Sequence, residues 1–201
     1  GYPRYLNRTE SITPDLMWYK FDEAGNTTTQ NFAPASTRVN DFATLMGAMT
    51  MGGAGYTGSA LVGTGGSSTS DYVDTGWGPD VGTGDWAISL WLNNMDTGTT
   101  LYYHFGDVNT SSFRCFSGGV AGAGNLILRG GGLTDVLATG VGGGPVVVDF
   151  IYDSSVPEVR AYIDGVLNNT VPQSGVDLTG AGPFKIGGYS SSTGMVAGEL
   201  M

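Results

Sequence analysis

The chain has 201 residues, 40% of them hydrophobic and 13% charged, with a formal net charge of −10 and a single cysteine. That length suits one domain with a real core. Only 8 residues are Lys or Arg, so the clustered positive charge that DNA, RNA or an anionic membrane would require is missing. Cys115 alone permits neither an intrachain disulfide nor a cysteine-based metal site, and no run of 18 apolar residues offers a membrane span. Glycine and proline, 35 and 8 residues, fill about a fifth of the chain, yet four Trp, ten Tyr and eight Phe speak against disorder. The glycines read as turn and close-approach positions of an all-β protein. Gly1 in place of Met, with no signal peptide or tag, fits a processed product or a segment of something longer.

Residues 1–14 carry Pro3 and Pro14 without a sustained period and predict an extended arm. Its Tyr2, Tyr5, Leu6 and Ile12 are expected to fold back on the domain or to reach a neighbouring subunit. Residues 15–22 alternate Leu16, Trp18 and Lys20 with Met17, Tyr19 and Phe21, a first strand with apolar bulk on both faces. Phe42 to Met51 predicts strand, residues 52–58 a glycine turn, and Ser59–Val62 and Tyr72–Thr75 two short strands. Trp77 lies in the glycine-rich loop 76–84, where an indole can stack on a sugar ring or plug the end of the core. Trp86–Trp91 is a central strand with Trp86, Ile88 and Leu90 on one face. In Thr99–Gly106, Leu101, Tyr103 and Phe105 alternate with Tyr102 and His104; Ser112–Phe116 and Asn125–Arg129 read as neighbouring strands.

The clearest signal spans Val146 to Gly165. Val146, Val148, Phe150 and Tyr152 share one strand face, Val159, Ala161 and Ile163 share a face of a second strand, and a polar turn joins them into a hairpin. Asp164-Gly165 supplies the next turn, before Val166 and Leu167. A hairpin cannot bury its own apolar face, so the remaining strands must form a second layer over it.

Ile151-Tyr152-Asp153, followed by Tyr162-Ile163-Asp164-Gly165, resembles the central hairpin of the concanavalin A-like, laminin G-like family. Leu16-Met17-Trp18-Tyr19-Lys20-Phe21-Asp22-Glu23 resembles that family's opening strand. Gly58-Ser59-Ala60-Leu61 with Asp71-Tyr72-Val73, then Asp85 to Trp91, then Phe184-Lys185-Ile186-Gly187-Gly188 follow in the family's order. The resemblance implies an antiparallel two-sheet β-sandwich of jelly-roll type over residues 15–201. Its last strand usually returns beside the first, and Gly198-Glu199-Leu200-Met201 begins that pattern and stops. An incomplete strand there would leave an edge that a partner copy's arm could complete.

Catalysis finds little support. The endoglucanase branch of this fold needs two carboxylates on one strand face, about 5 to 5.5 Å apart for a retaining mechanism. None of Glu10, Glu23, Glu158 and Glu199 is followed two residues later by Asp. His104, the sole histidine, has no nucleophile motif beside it. Calcium is the one cofactor to carry, since hard oxygens from loops can bind it. In calcium-binding relatives two Asp flank the ion, and the matching positions are Asp107 and Asp177, which turn formation explains equally well. Asn7, Asn26, Asn109 and Asn168 each begin an Asn-x-Ser/Thr sequon.

The sequence therefore predicts a non-catalytic recognition or adhesion module, extracellular or on a cell or virion surface, binding a glycan or protein, with calcium assistance held open. Trp77, Tyr102 and Tyr103 are its candidate contact aromatics. The alternative is a structural subunit or decoration protein of a filament or virion, forming homo-oligomers through the arm and terminal strand. Fold alone does not choose between them.

Overall fold

A computed structural model describes residues 14–56, 58–107, 113–130, 132–190 and 193–201. Residues 1–13, where the arm is expected, and the sequons at Asn7 and Asn109 lie outside the described residues. The architecture is an antiparallel β-sandwich. Its strands are β1 (Thr28–Gln30), β2 (Phe42–Met46), β3 (Thr50–Ala54), β4 (Ser59–Val62), β5 (Tyr72–Asp74), β6 (Trp86–Leu92) and β7 (Tyr102–Gly106), then β8 (Arg114–Ser117), β9 (Leu126–Gly130), β10 (Leu133–Ala138), β11 (Val146–Asp153), β12 (Glu158–Ile163), β13 (Val166–Pro172) and β14 (Lys185–Ile186). The front sheet runs β1-β2-β5-β14-β7-β8-β9-β10 and the back sheet β13-β12-β11-β6. No helix among the described residues is long and apolar enough to cross a membrane.

The core follows from strand alternation. Across the front sheet, Leu45, Val73, Ile186, Phe105, Cys115, Leu128 and Val136 stand directly opposite one another in one row. Phe105, Cys115, Leu128 and Val136 of that row meet Leu90, Leu92, Val146, Val148, Phe150, Val159 and Ala161 of the back sheet in the main core, whereas Val73 and Leu45 pack in a second cluster with Phe21, Met49 and Leu61 and Ile186 touches both. The predicted hairpin is present as β11 and β12, with alternate β11 residues buried as its sequence period requires. Asp164 and Gly165 both take positive φ, 49° and 75°, the geometry that a two-residue turn demands.

β6, expected to lie centrally, is the edge strand of the back sheet. Three further expectations need correction. Residues 15–22 form no strand ladder: only Tyr19 bridges to Asn31, and the Asn31 side chain accepts from Trp18 N and donates to Leu16 O. Phe21, at φ 55°, then turns the chain out of extended geometry. Residues 52–54 continue β3 through a bulge instead of turning. The chain end does not return beside the opening segment. Leu200 bridges Val62 of β4 on one side and Asn93 on the other, with Leu200 N donating to Asn93 O at 2.8 Å and Met201 N to Leu61 O at 3.1 Å. Residues 199–201 thus connect the β3-β4 hairpin to Asn93, just past β6.

A bulge in β7 corrects a fifth. The ladder to β8 shifts between Tyr103 and Phe105, leaving His104 as the extra residue. Tyr103 and Phe105 consequently face opposite ways: Phe105 enters the main core, while Tyr103 joins Phe116, Ala121, Ile127 and Tyr189 in a separate cluster on the outer face of the front sheet.

Candidate functional site

The bulge determines what the outer front face presents. Directly opposite partners on successive strands share a face, and one row there reads Thr44, Asp74, Lys185, Gly106, Arg114, Arg129. The chain has 8 Lys and Arg in total, yet three of them line up in this row. Like charges directly opposite each other, as Arg114 and Arg129 are, disfavour a sheet unless something compensates. Here the compensation is built in. Arg129 forks onto Asp135, Nε to Oδ1 at 2.7 Å and Nη2 to Oδ2 at 2.5 Å, and its guanidinium lies 5.1 Å from the Phe116 ring. That pairing holds the Asp135 carboxyl below the usual range and raises Arg129.

Arg114 lies 5.2 Å above the Tyr189 ring, and Tyr189 packs against Tyr103 at 4.8 Å between centroids. Gly106 makes room for this stack: a Cβ there would stand 2.5 Å from Tyr189 Cδ2 and 2.9 Å from Arg114 Cβ. Lys185, only 5% exposed, donates to Ser68 O at 3.3 Å and Tyr189 O at 3.2 Å, with its ammonium 4.0 Å from the Tyr72 ring. Burial pushes the Lys185 amine down, and nearby Asp74 partly opposes that. The result is an aromatic floor of Tyr103, Phe116 and Tyr189 under planar guanidinium donors and an adjoining carboxylate. Such a surface offers oriented donors and acceptors to a polar ligand.

Of the residues singled out in the sequence, Tyr103 belongs to this floor and is 8% exposed. Tyr102, half-buried, pairs with Ser117 and bridges to Thr193. Trp77 is 9% exposed and in the main core, edge-on to Phe184, with Nε1 donating to Asp80 Oδ1 at 3.0 Å. Asp107 is fully buried at the end of β7 and Asp177 is exposed between the buried Val176 and Leu178. Among the described residues no group of three or more His, Cys, Asp or Glu is placed to hold a metal ion. Asn26 is exposed, whereas the Asn168 amide is engaged with Thr139, accepting from its N at 2.8 Å and donating to its O at 3.0 Å. Reading strand by strand missed Arg114, Arg129, Lys185 and Tyr189, because no local motif joins them.

A second polar feature is internal. His104 Nδ1 lies 3.0 Å from Glu199 Oε1, both side chains being fully buried, and Glu199 Oε2 accepts from Val196 N at 3.1 Å. This pair ties the front sheet to the chain end. Beside it, Cys115 has its thiol pushed up by burial and by the Glu199 charge, which leaves it inert as a nucleophile.

The antiparallel β-sandwich is shared with solved structures. Domain 4 of AbnA, an extracellular GH43 arabinanase from Geobacillus stearothermophilus, solved in complex with arabinotriose, superposes with a TM-score of 0.55 at 18% identity, over 77% of this chain and 73% of that one. The binding domain of Paraclostridial Mosquitocidal Protein 1 superposes with a TM-score of 0.58 at 9% identity, over 86% of this chain. The match spans about half, 45%, of that second protein's chain. At these identities the likeness is one of fold. No protein-family model matches the chain, and no curated protein matches it significantly.

Proposed function

We propose that the protein is a non-catalytic recognition module that binds a glycan across the outer face of the front sheet. The observation that carries this reading is the opposed pair Arg114 and Arg129, held over Tyr189 and Phe116 in a chain otherwise poor in cations. Two guanidinium groups directly opposite each other are an uncommon pairing in a sheet, and here both lie over aromatic rings on one face. Guanidinium donors and the Asp135 acceptor suit vicinal hydroxyls and ring oxygens, and the neighbouring binding domains support the same class of task. A location outside the cell accords with it.

The test is a glycan array probed with the intact protein, followed by calorimetric titration of the best ligand. Saturable binding is expected; an array with no signal above background would contradict the proposal. Calcium assistance is proposed on the resemblance alone, through Asp107 and Asp177. A rise in melting temperature with calcium that is abolished in Asp107→Ala is the expected result, and an unchanged melt would remove calcium from the account.

A further inference from the structure

The outer face of the back sheet carries a second grouping, chemically unlike the first. Trp91 of β6 stands opposite Val147 of β11. Together with Tyr56, Pro145, Val146 and Asp164 they line a shallow depression of about 80 Å³. Tyr56, at the tip of the β3-β4 hairpin, is 79% exposed, far more than an aromatic gains from its own fold. Asp164 Oδ1 accepts from Val147 N at 2.9 Å, which fixes the carboxylate at the rim. In the next row Ser89, Asp149 and Tyr162 stand opposite one another, and Asp149 is held by Ser89.

The geometry points to this depression as a binding site for one ring of a neutral saccharide, distinct from the front face and independent of its reading. Two aromatic surfaces supply the apolar contact that the C–H face of a sugar ring needs. The carboxylates of Asp164 and Asp149 are acceptors for hydroxyl donors at the ring's edge. No Lys or Arg lines the depression, so an anionic sugar is excluded on charge. Burial, with Asp164 nearby, holds the Asp149 carboxyl above its ordinary range despite the Ser89 hydrogen bond, which marks the row as poorly hydrated. The backbone of β11 is paired on both sides, with β6 and with β12, so the floor of the depression offers side chains rather than open backbone groups. The volume accepts one face of one ring, not a folded partner.

Arabinotriose, cellotriose and maltotriose, titrated separately into the intact protein, serve as probes, read from the indole Nε1–H resonances of its four Trp, with Trp91 assigned by Trp91→Phe. At least one probe is expected to shift the Trp91 resonance saturably, and Tyr56→Ala to weaken that binding by about tenfold. Tyr56 is exposed, so its loss should leave the fold intact. Asp164→Asn keeps a residue that tolerates the turn and is expected to weaken binding as well. Arg114→Ala should leave the Trp91 shift unchanged, which separates this site from the front one. A silent Trp91 resonance with all three probes would overturn the proposal. So would tighter binding of a Lys/Arg peptide at the same resonance, or a change of oligomeric state in Tyr56→Ala without any effect on sugar.

Discussion

Two carboxylate pairings of this molecule, one sealed in the core and one on the front sheet, do opposite kinds of work. His104 and Glu199 are fully buried 3.0 Å apart, where each would be a costly orphan without the other. Arg129 and Asp135 are 32% and 41% exposed, and water screens them. The buried pair lends position, since it docks the segment that joins the β3-β4 hairpin to β6. The surface pair lends little to stability, so its groups can be altered without unfolding the chain.

The largest effect should come from splitting the buried pair. Glu199→Ala is expected to cost about 3 to 5 kcal/mol in urea unfolding because His104 is left buried alone. A loss within about 1 kcal/mol would show that the chain end docks on backbone bonds instead. Gly106→Ala should come next, at about 1 to 3 kcal/mol, as the new methyl displaces Tyr189. Adding Tyr189→Ala to Gly106→Ala should recover part of that loss if the two clash as the geometry indicates.

The surface pair should give the smallest effect, and a pH-dependent one. Because the Asp135 carboxyl is lowered from 3.8 in the folded state, its contribution is present above the unfolded value and fades as pH falls through the folded one. Arg129→Ala should accordingly cost only about 0 to 1 kcal/mol at neutral pH and nothing once Asp135 is protonated. Asp149 has the opposite sign. Its carboxyl is raised from 3.8 by burial, so its favourable contribution is present below that value and lost as pH rises through the folded pKa. Asp149→Asn should leave the melting temperature equal or higher at neutral pH, and a marked drop would reveal a partner for the ionised group.

The central hairpin was legible because its cues are local: alternation in β11, a polar turn, then Asp164-Gly165. The front-face row was not. Its members come from β2, β5, β14, β7, β8 and β9, neighbours in the sheet that do not follow chain order throughout, so their alignment depends on register that no single stretch encodes. His104 misled for a related reason. Strict alternation put Tyr103 with Phe105, and the one-residue bulge moved Tyr103 to the floor of the outer face. Glu199 gave no sign of its partner because that partner, His104, lies on β7, far earlier in the chain. Of the proposed contacts, Tyr103 could be found in sequence as an aromatic in a strand, while Arg114 and Arg129 gain meaning only once β8 and β9 stand side by side.

The claim that the front face is the glycan site is tested most directly by titrating the best array ligand into Arg114→Ala, Arg129→Ala and, as a control, Arg38→Ala. Arg38 pairs with Asp41 away from the row. The two front-face variants should lose about tenfold or more in affinity with melting temperatures nearly unchanged, and Arg38→Ala should bind as the parent does. Undiminished affinity in both front-face variants would contradict the account.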